Sequence, residues 1–141
     1  MIQAYGIAEK KIVVILNGVD HKKFNPSLRS DVGKRTRREL GIKSNARVVL
    51  FVGTGFRRKG LDRLLRLWRA GAMPNVYLLV VGGDTRLAAY RSAWRHNPYV
   101  IFAGPKPNVE DYYVAADVLA FHRFKKPSAT LSWRVWRRDC R

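Results

Sequence analysis

A chain of 141 residues is long enough for one domain with a buried core, and a hydrophobic content of 47% excludes a disordered basic tail. Apolar runs such as "VVLFV" and "VYLLVV" are too short to span a bilayer, and one cysteine, Cys140, excludes an internal disulfide and a Cys-rich metal site. The formal charge of +18 asks for an anionic partner: nucleic acid, an acidic membrane face or a phosphorylated small molecule.

In chain order, "MIQAYGIAEKK" carries charges where a signal peptide has its apolar region, so a cytoplasmic, reducing location is expected. "KIVVIL" (11–16) is a short β-type run closed by the turn signal "NGVD". A polar stretch leads to Ser30, the expected N-cap of a helix over 31–40, with Gly41 at its C-cap. "RVVLFVG" (47–53) is a continuous apolar run suited to a strand buried on both faces. Leu61, Leu64, Leu65 and Trp68 then recur at helical spacing up to Gly71.

"VYLLVVGG" (76–83) is a second buried strand, followed by a helical stretch around 85–96. "YVIFAG" (99–104) is a third strand, Asn108 caps a short helix through Ala116, and "DVLAF" begins a fourth. Strands and helices alternate at the spacing of βαβ units. The expected fold is α/β, a Rossmann-like parallel, doubly wound sheet flanked by helices.

The strands end in glycines: Gly53, Gly82 with Gly83, and Gly104. Ligands of open α/β sheets lie at the carboxyl ends of the strands, where glycine lets a ligand approach the backbone. Any one of these glycines could simply terminate a strand; three in register favour a ligand crevice. In "FVGTGFRRKGLDRLL" a buried strand delivers Gly53, Thr54, Arg57, Arg58 and Lys59 to a helix start. Free N–H groups and cations there suit a pyrophosphate, although a solvated basic loop has the same composition. The spacings match neither a Walker A loop nor a G-x-G-x-x-G fingerprint.

Four landmarks in order, "VILNGVDHKKFNP", "VLFVGTGFRRKGLDRLL", "LLVVGGD" and "VIFAGPKPNVEDYYVAADVLA", resemble those of the retaining GT-B glycosyltransferases of family 4. More narrowly, they resemble the branch that glucosylates the lipopolysaccharide core. The resemblance covers about residues 5–120 and implies the C-terminal, donor-binding domain of a GT-B fold. It implies that 1–30 hold an interdomain connection and first strand, and 31–120 part of the nucleotide-sugar-binding domain. Gly53 and Thr54 would then lie against the donor phosphates, with Arg58 and Lys59 neutralising the leaving pyrophosphate. Gly82, Gly83 and Gly104 would line the nucleotide crevice. Thr54 stands where the broad family often has Arg, and a small hydroxyl residue there fits the core-glucosyltransferase branch.

The implied donor is a nucleotide sugar, UDP-glucose, and the implied acceptor of a full-length relative is a lipopolysaccharide core. No cofactor and no metal are expected, since Arg and Lys supply the positive charge. His21, His96 and His122 lack ligand spacing, and "DYY" (111–113) is expected to pack a helix. The protein would be cytoplasmic, or peripheral on the cytoplasmic face of the inner membrane, where a basic surface suits anionic lipid. A nucleic-acid module is the competing class, but the basic residues are scattered over several elements without a recognised motif, so nucleic acid is not expected as a partner.

Residues 121–141 break the pattern. They hold seven Lys/Arg and one Asp, a net +6, which leaves +12 for the first 120 residues. The family's segment like "LPS…EAFGN…LEGLA.GLPV", with its sugar-holding glutamates, is missing after Ala120. Reading each codon's last base with the first two of the next makes Asp139–Cys140 give only Leu, and makes Trp133–Arg134 and Trp136–Arg137 give Glu or Ala. The permitted choices include "LPSLQEAFGNAVLEGLASGLP", in phase from Ala120–Phe121. A base lost near the Phe121 codon would make the tail out-of-frame translation and the chain a catalytically silent fragment with no catalytic residue of its own. The alternative is a genuine basic amphipathic helix, with Leu131, Val135 and Trp136 on one face.

Overall fold

The computed structural model describes residues 22–69 and 73–120, with Val13, Gly18 and Asp20 before them. The expected strand over 11–16 and both readings of 121–141 lie outside the described residues. The elements in chain order are a 3-10 turn Pro26–Arg29, α1 (Val32–Glu39), β1 (Arg47–Val52), α2 (Leu61–Arg69), β2 (Val76–Val81), α3 (Leu87–Trp94), β3 (Val100–Gly104), α4 (Val109–Ala115) and β4 (Val118–Leu119).

The four strands form one sheet in the order β3-β2-β1-β4, and every pairing is parallel. Parallel neighbours need crossovers, and the helices that make them cover both faces of the sheet. Phe51, Leu65, Trp68, Leu78 and Val80 form a core on the α2/α3 side. Ile42, Val48, Leu50, Leu79 and Val81 form a second, joined by Tyr112 and Tyr113 of α4. Leu78 and Leu79 are adjacent and both fully buried, on opposite faces. That is why "VVLFV" and "VYLLVV" are continuous apolar runs and not alternating ones.

The helix ends differ in detail from the sequence expectation. Asp31, not Ser30, occupies the N-cap of α1, without a side-chain capping bond. The Ser30 hydroxyl instead donates to the Ser27 carbonyl of the preceding turn at 3.2 Å. Asn108 does hold the N-cap of α4, but its side chain makes no capping bond. Gly41 follows α1 at φ +67, with its N–H donating to the Arg38 carbonyl, as the expected C-cap requires.

One carboxylate ties the amino end of the sheet together. Asp117, just before β4, accepts from the Val48 N–H of β1 at 2.8 Å and pairs with Arg37 of α1 and with Arg29. Arg37 also donates to the carbonyls of Ala115 and Ala46, so α1, α4, β1 and β4 meet at one charged node.

Candidate functional site

The site is built at the opposite, carboxyl end of the strands. Beyond β1 the Gly53 N–H continues the ladder to the Val81 carbonyl at 2.9 Å, and the Gly82 N–H donates to the Gly104 carbonyl at 2.9 Å. The register of β3 slips at Ala103, so that Gly104 comes opposite Val81. Gly53, Gly82 and Gly104 therefore form a row across three adjacent strands, spanning on the order of 10 Å at ordinary strand spacing. A Cβ on Gly82 would run into the Gly53 carbonyl, and one on Gly53 would run into the Lys59 side chain. Gly83 faces open space.

The loop after Gly53 is anchored at one point. Phe56 is fully buried, edge-on to Phe51 and Tyr90 with ring centroids 6.0 and 5.5 Å apart. Its N–H donates to Asp84 Oδ2 at 2.7 Å, while Asp84 Oδ1 accepts from the Arg86 N–H. These two backbone donors, Arg86 first and Phe56 second, hold the Asp84 carboxyl below its ordinary value. The loop then winds into α2, the Lys59 N–H donating to the Gly55 carbonyl and Leu61 to Phe56.

That anchoring leaves the outer side of the loop to a ligand. Among the described residues, the N–H groups of Thr54, Gly55, Arg57 and Arg58 have no acceptor, and no carboxylate pairs with Arg57, Arg58 or Lys59. The Lys59 ammonium lies across Gly53, and Arg58 folds back toward Gly55. Free amides, unpaired cations and the start of a nine-residue helix converge on the glycine row. The arrangement attracts a small polyanion.

The structure thus brings Gly53, Thr54, Arg58, Lys59 and Gly82 together, with Gly83 next to them and Gly104 at the far end of the row. Sequence reasoning missed Asp84, which fixes the loop, and Arg91, whose guanidinium donates to the Phe102 carbonyl and lies 3.0 Å from where a Gly104 Cβ would be. The Asp directly after "VVGG" was the available signal for the first; nothing in the pattern marked the second. A separate recess, about 1190 Å³, runs along α1 and is lined by Arg29, Lys34, Arg37 and Arg38. It shares no residue with the glycine row. No cluster of three or more His, Cys, Asp or Glu able to hold a metal occurs among the described residues.

The profile described as "Glycosyl transferases group 1" matches residues 33–128, which contain the sheet, the glycine row and the basic loop. The chain belongs to this family. D-inositol 3-phosphate glycosyltransferase of Corynebacterium kroppenstedtii is 31% identical over 137 aligned residues, covering 86% of this chain and 30% of the relative. Among solved structures, WaaG, a glycosyltransferase involved in lipopolysaccharide biosynthesis, superposes with a TM-score of 0.69 at 22% identity, over 88% of this chain and 35% of WaaG. Anabaena Alr3699/HepE, solved with UDP and glucose, gives 0.63 at 25% identity, over 86% and 34%. The chain therefore spans about a third of the length of these relatives. Their fold confirms the GT-B-type expectation and the parallel sheet flanked by helices.

Proposed function

We propose that this chain binds a nucleotide sugar, UDP-glucose, along the glycine row, as the donor-binding part of a retaining GT-B hexosyltransferase of family 4. The observation that carries this is that Arg58 and Lys59, without a carboxylate partner among the described residues, lie beside the free backbone amides of Thr54, Gly55, Arg57 and Arg58 at the end of the glycine row. UDP and glucose in the related Alr3699/HepE support it. When the bond between the sugar and the β-phosphate oxygen breaks, negative charge accumulates on that phosphate. Lys59 and Arg58 sit where they would stabilise it, the role a divalent cation plays elsewhere. The rest of the nucleotide runs along Gly82, Gly83 and Gly104, with open space beside Gly83.

The acceptor in this reading is a lipopolysaccharide core or related glycolipid, met at the cytoplasmic face of the inner membrane. The 141 residues alone bind the donor without transferring it. In the same reading, residues 121–141 arise from a lost base near the Phe121 codon. Sequencing the DNA from codon 110 onward tests that: a closed or unrelated alternative frame would refute it.

Titration calorimetry tests the donor site. UDP-glucose and UDP should bind, glucose alone should not, and Lys59→Ala should cost about 2 kcal/mol of binding, on the order of thirtyfold, as loss of a charged hydrogen bond does. Equal affinity of the variant would remove Lys59 from the phosphate site. Glucose transfer to a core acceptor by the 141-residue chain would refute the silent-fragment part.

A further inference from the structure

The two helical layers carry their charge differently. Within 61–96 there are six arginines, Arg63, Arg66, Arg69, Arg86, Arg91 and Arg95, no lysine and only two acids. All six arginines are exposed. Both acids are tied down: Asp62 accepts the Tyr90 hydroxyl, and Asp84 accepts the N–H groups of Phe56 and Arg86. The opposite layer, α1 and α4, mixes its cations with Asp31, Glu39, Glu110 and Asp111.

The shape of the α2/α3 layer is equally specific. The outward side of α2 presents Arg66 and Leu67, the latter 41% exposed. The outward side of α3 is small, Ala88, Ala89, Ser92 and Ala93, all exposed, with arginines at its flanks. No aromatic ring on this face is open to stack a base: Trp94 is half-buried beneath Arg69, and Tyr90 lies between Phe56 and Phe102. Single-stranded nucleic acid needs such rings. A broad surface of guanidinium groups, small side chains and one protruding leucine matches instead a plane of phosphodiesters with acyl chains beneath it.

We propose that the α2/α3 face docks on a bilayer containing anionic lipid. This gives a surface to the membrane location in the functional reading above and rests on it. Each arginine near an anionic leaflet is worth roughly fivefold in affinity. Orientation follows from the asymmetry, because among the described residues this face, unlike the α1/α4 layer, has no outward carboxylate to repel lipid phosphate.

Co-sedimentation of the whole chain with phosphatidylcholine vesicles, with and without one-third phosphatidylglycerol, tests the proposal. Arg66→Glu/Arg95→Glu should lower partitioning onto anionic vesicles by at least about 25-fold. Lys34→Glu/Arg38→Glu, the same charge change on α1, should lower it severalfold less. Circular dichroism checks that both variants fold, as expected for exposed positions without ion pairs among the described residues. Equal losses in the two variants would mean attraction to bulk charge and overturn the proposal. So would binding indifferent to phosphatidylglycerol, or an oligonucleotide affinity that falls selectively with the α2/α3 pair. Absent vesicle binding with intact UDP binding refutes this surface alone; intact vesicle binding without UDP binding refutes the donor site alone.

Discussion

Gly82→Ala is expected to lower the protein's stability by about 4 kcal/mol, whereas the neighbouring Gly83→Ala should leave it within about 0.5 kcal/mol. Gly82 has φ +129, and a Cβ there would overlap the Gly53 carbonyl and lie 3.2 Å from the Gly53 nitrogen. The obstacle is backbone held by the ladder between β1 and β2, so no rotamer change relieves it. A strained φ costs of order 1–3 kcal/mol and overpacking a similar amount, giving about 4 kcal/mol together. A domain of this size has only about 5–15 kcal/mol to lose. At Gly83 the added methyl meets nothing within 4 Å. Urea unfolding of the two variants decides the matter, and equal midpoints would show that β1 and β2 are not packed glycine to glycine.

The same contrast shows what the sequence could and could not reveal. Strands β1 and β2 were legible because burial on both faces leaves an uninterrupted apolar run, which few other elements produce. The edge strand β3 keeps an apolar run although its middle residues are only partly buried. The row of Gly53, Gly82 and Gly104 followed from the strand ends. Which glycine is irreplaceable did not follow, because that depends on the Gly53–Gly82 approach between strands and on the slip at Ala103. Arg58 and Lys59 were visible as a basic loop before a helix. Asp84 was not, since a single acid bonding backbone 28 residues away leaves no periodic trace. The helix start at Asp31 instead of Ser30 shows a further limit: two adjacent capping residues compete, and the preceding turn decides which one bonds elsewhere. The arginine-only face was hidden differently. Its arginines are plain in the sequence, but that Asp62 and Asp84 turn inward is a tertiary fact.

Asp117 governs the second large effect, and this one depends on pH. Its side chain is 14% exposed, and burial alone would raise its carboxyl. The Val48 N–H, Arg37 and Arg29 outweigh that and hold it below its ordinary 3.8. A depressed folded-state value means stability that is complete above the unfolded value and lost as pH falls through the folded one. Asp117→Ala should therefore cost about 3 kcal/mol at neutral pH, because it leaves Arg37 half-enclosed without its counter-charge and the Val48 N–H without an acceptor. Below about pH 3.8 the penalty should shrink, since the unfolded chain takes up a proton at Asp117 that the folded carboxylate binds only at lower pH. Glu39→Gln provides the contrast: its pair with Arg35 spans 3.8 Å with both side chains more than half exposed, and less than about 0.5 kcal/mol is expected at any pH. Denaturant titrations of the three proteins at pH 7 and pH 3 separate the cases. A pH-independent deficit in Asp117→Ala would assign its cost to lost packing, and the charged node joining α1, α4, β1 and β4 would lose its electrostatic basis.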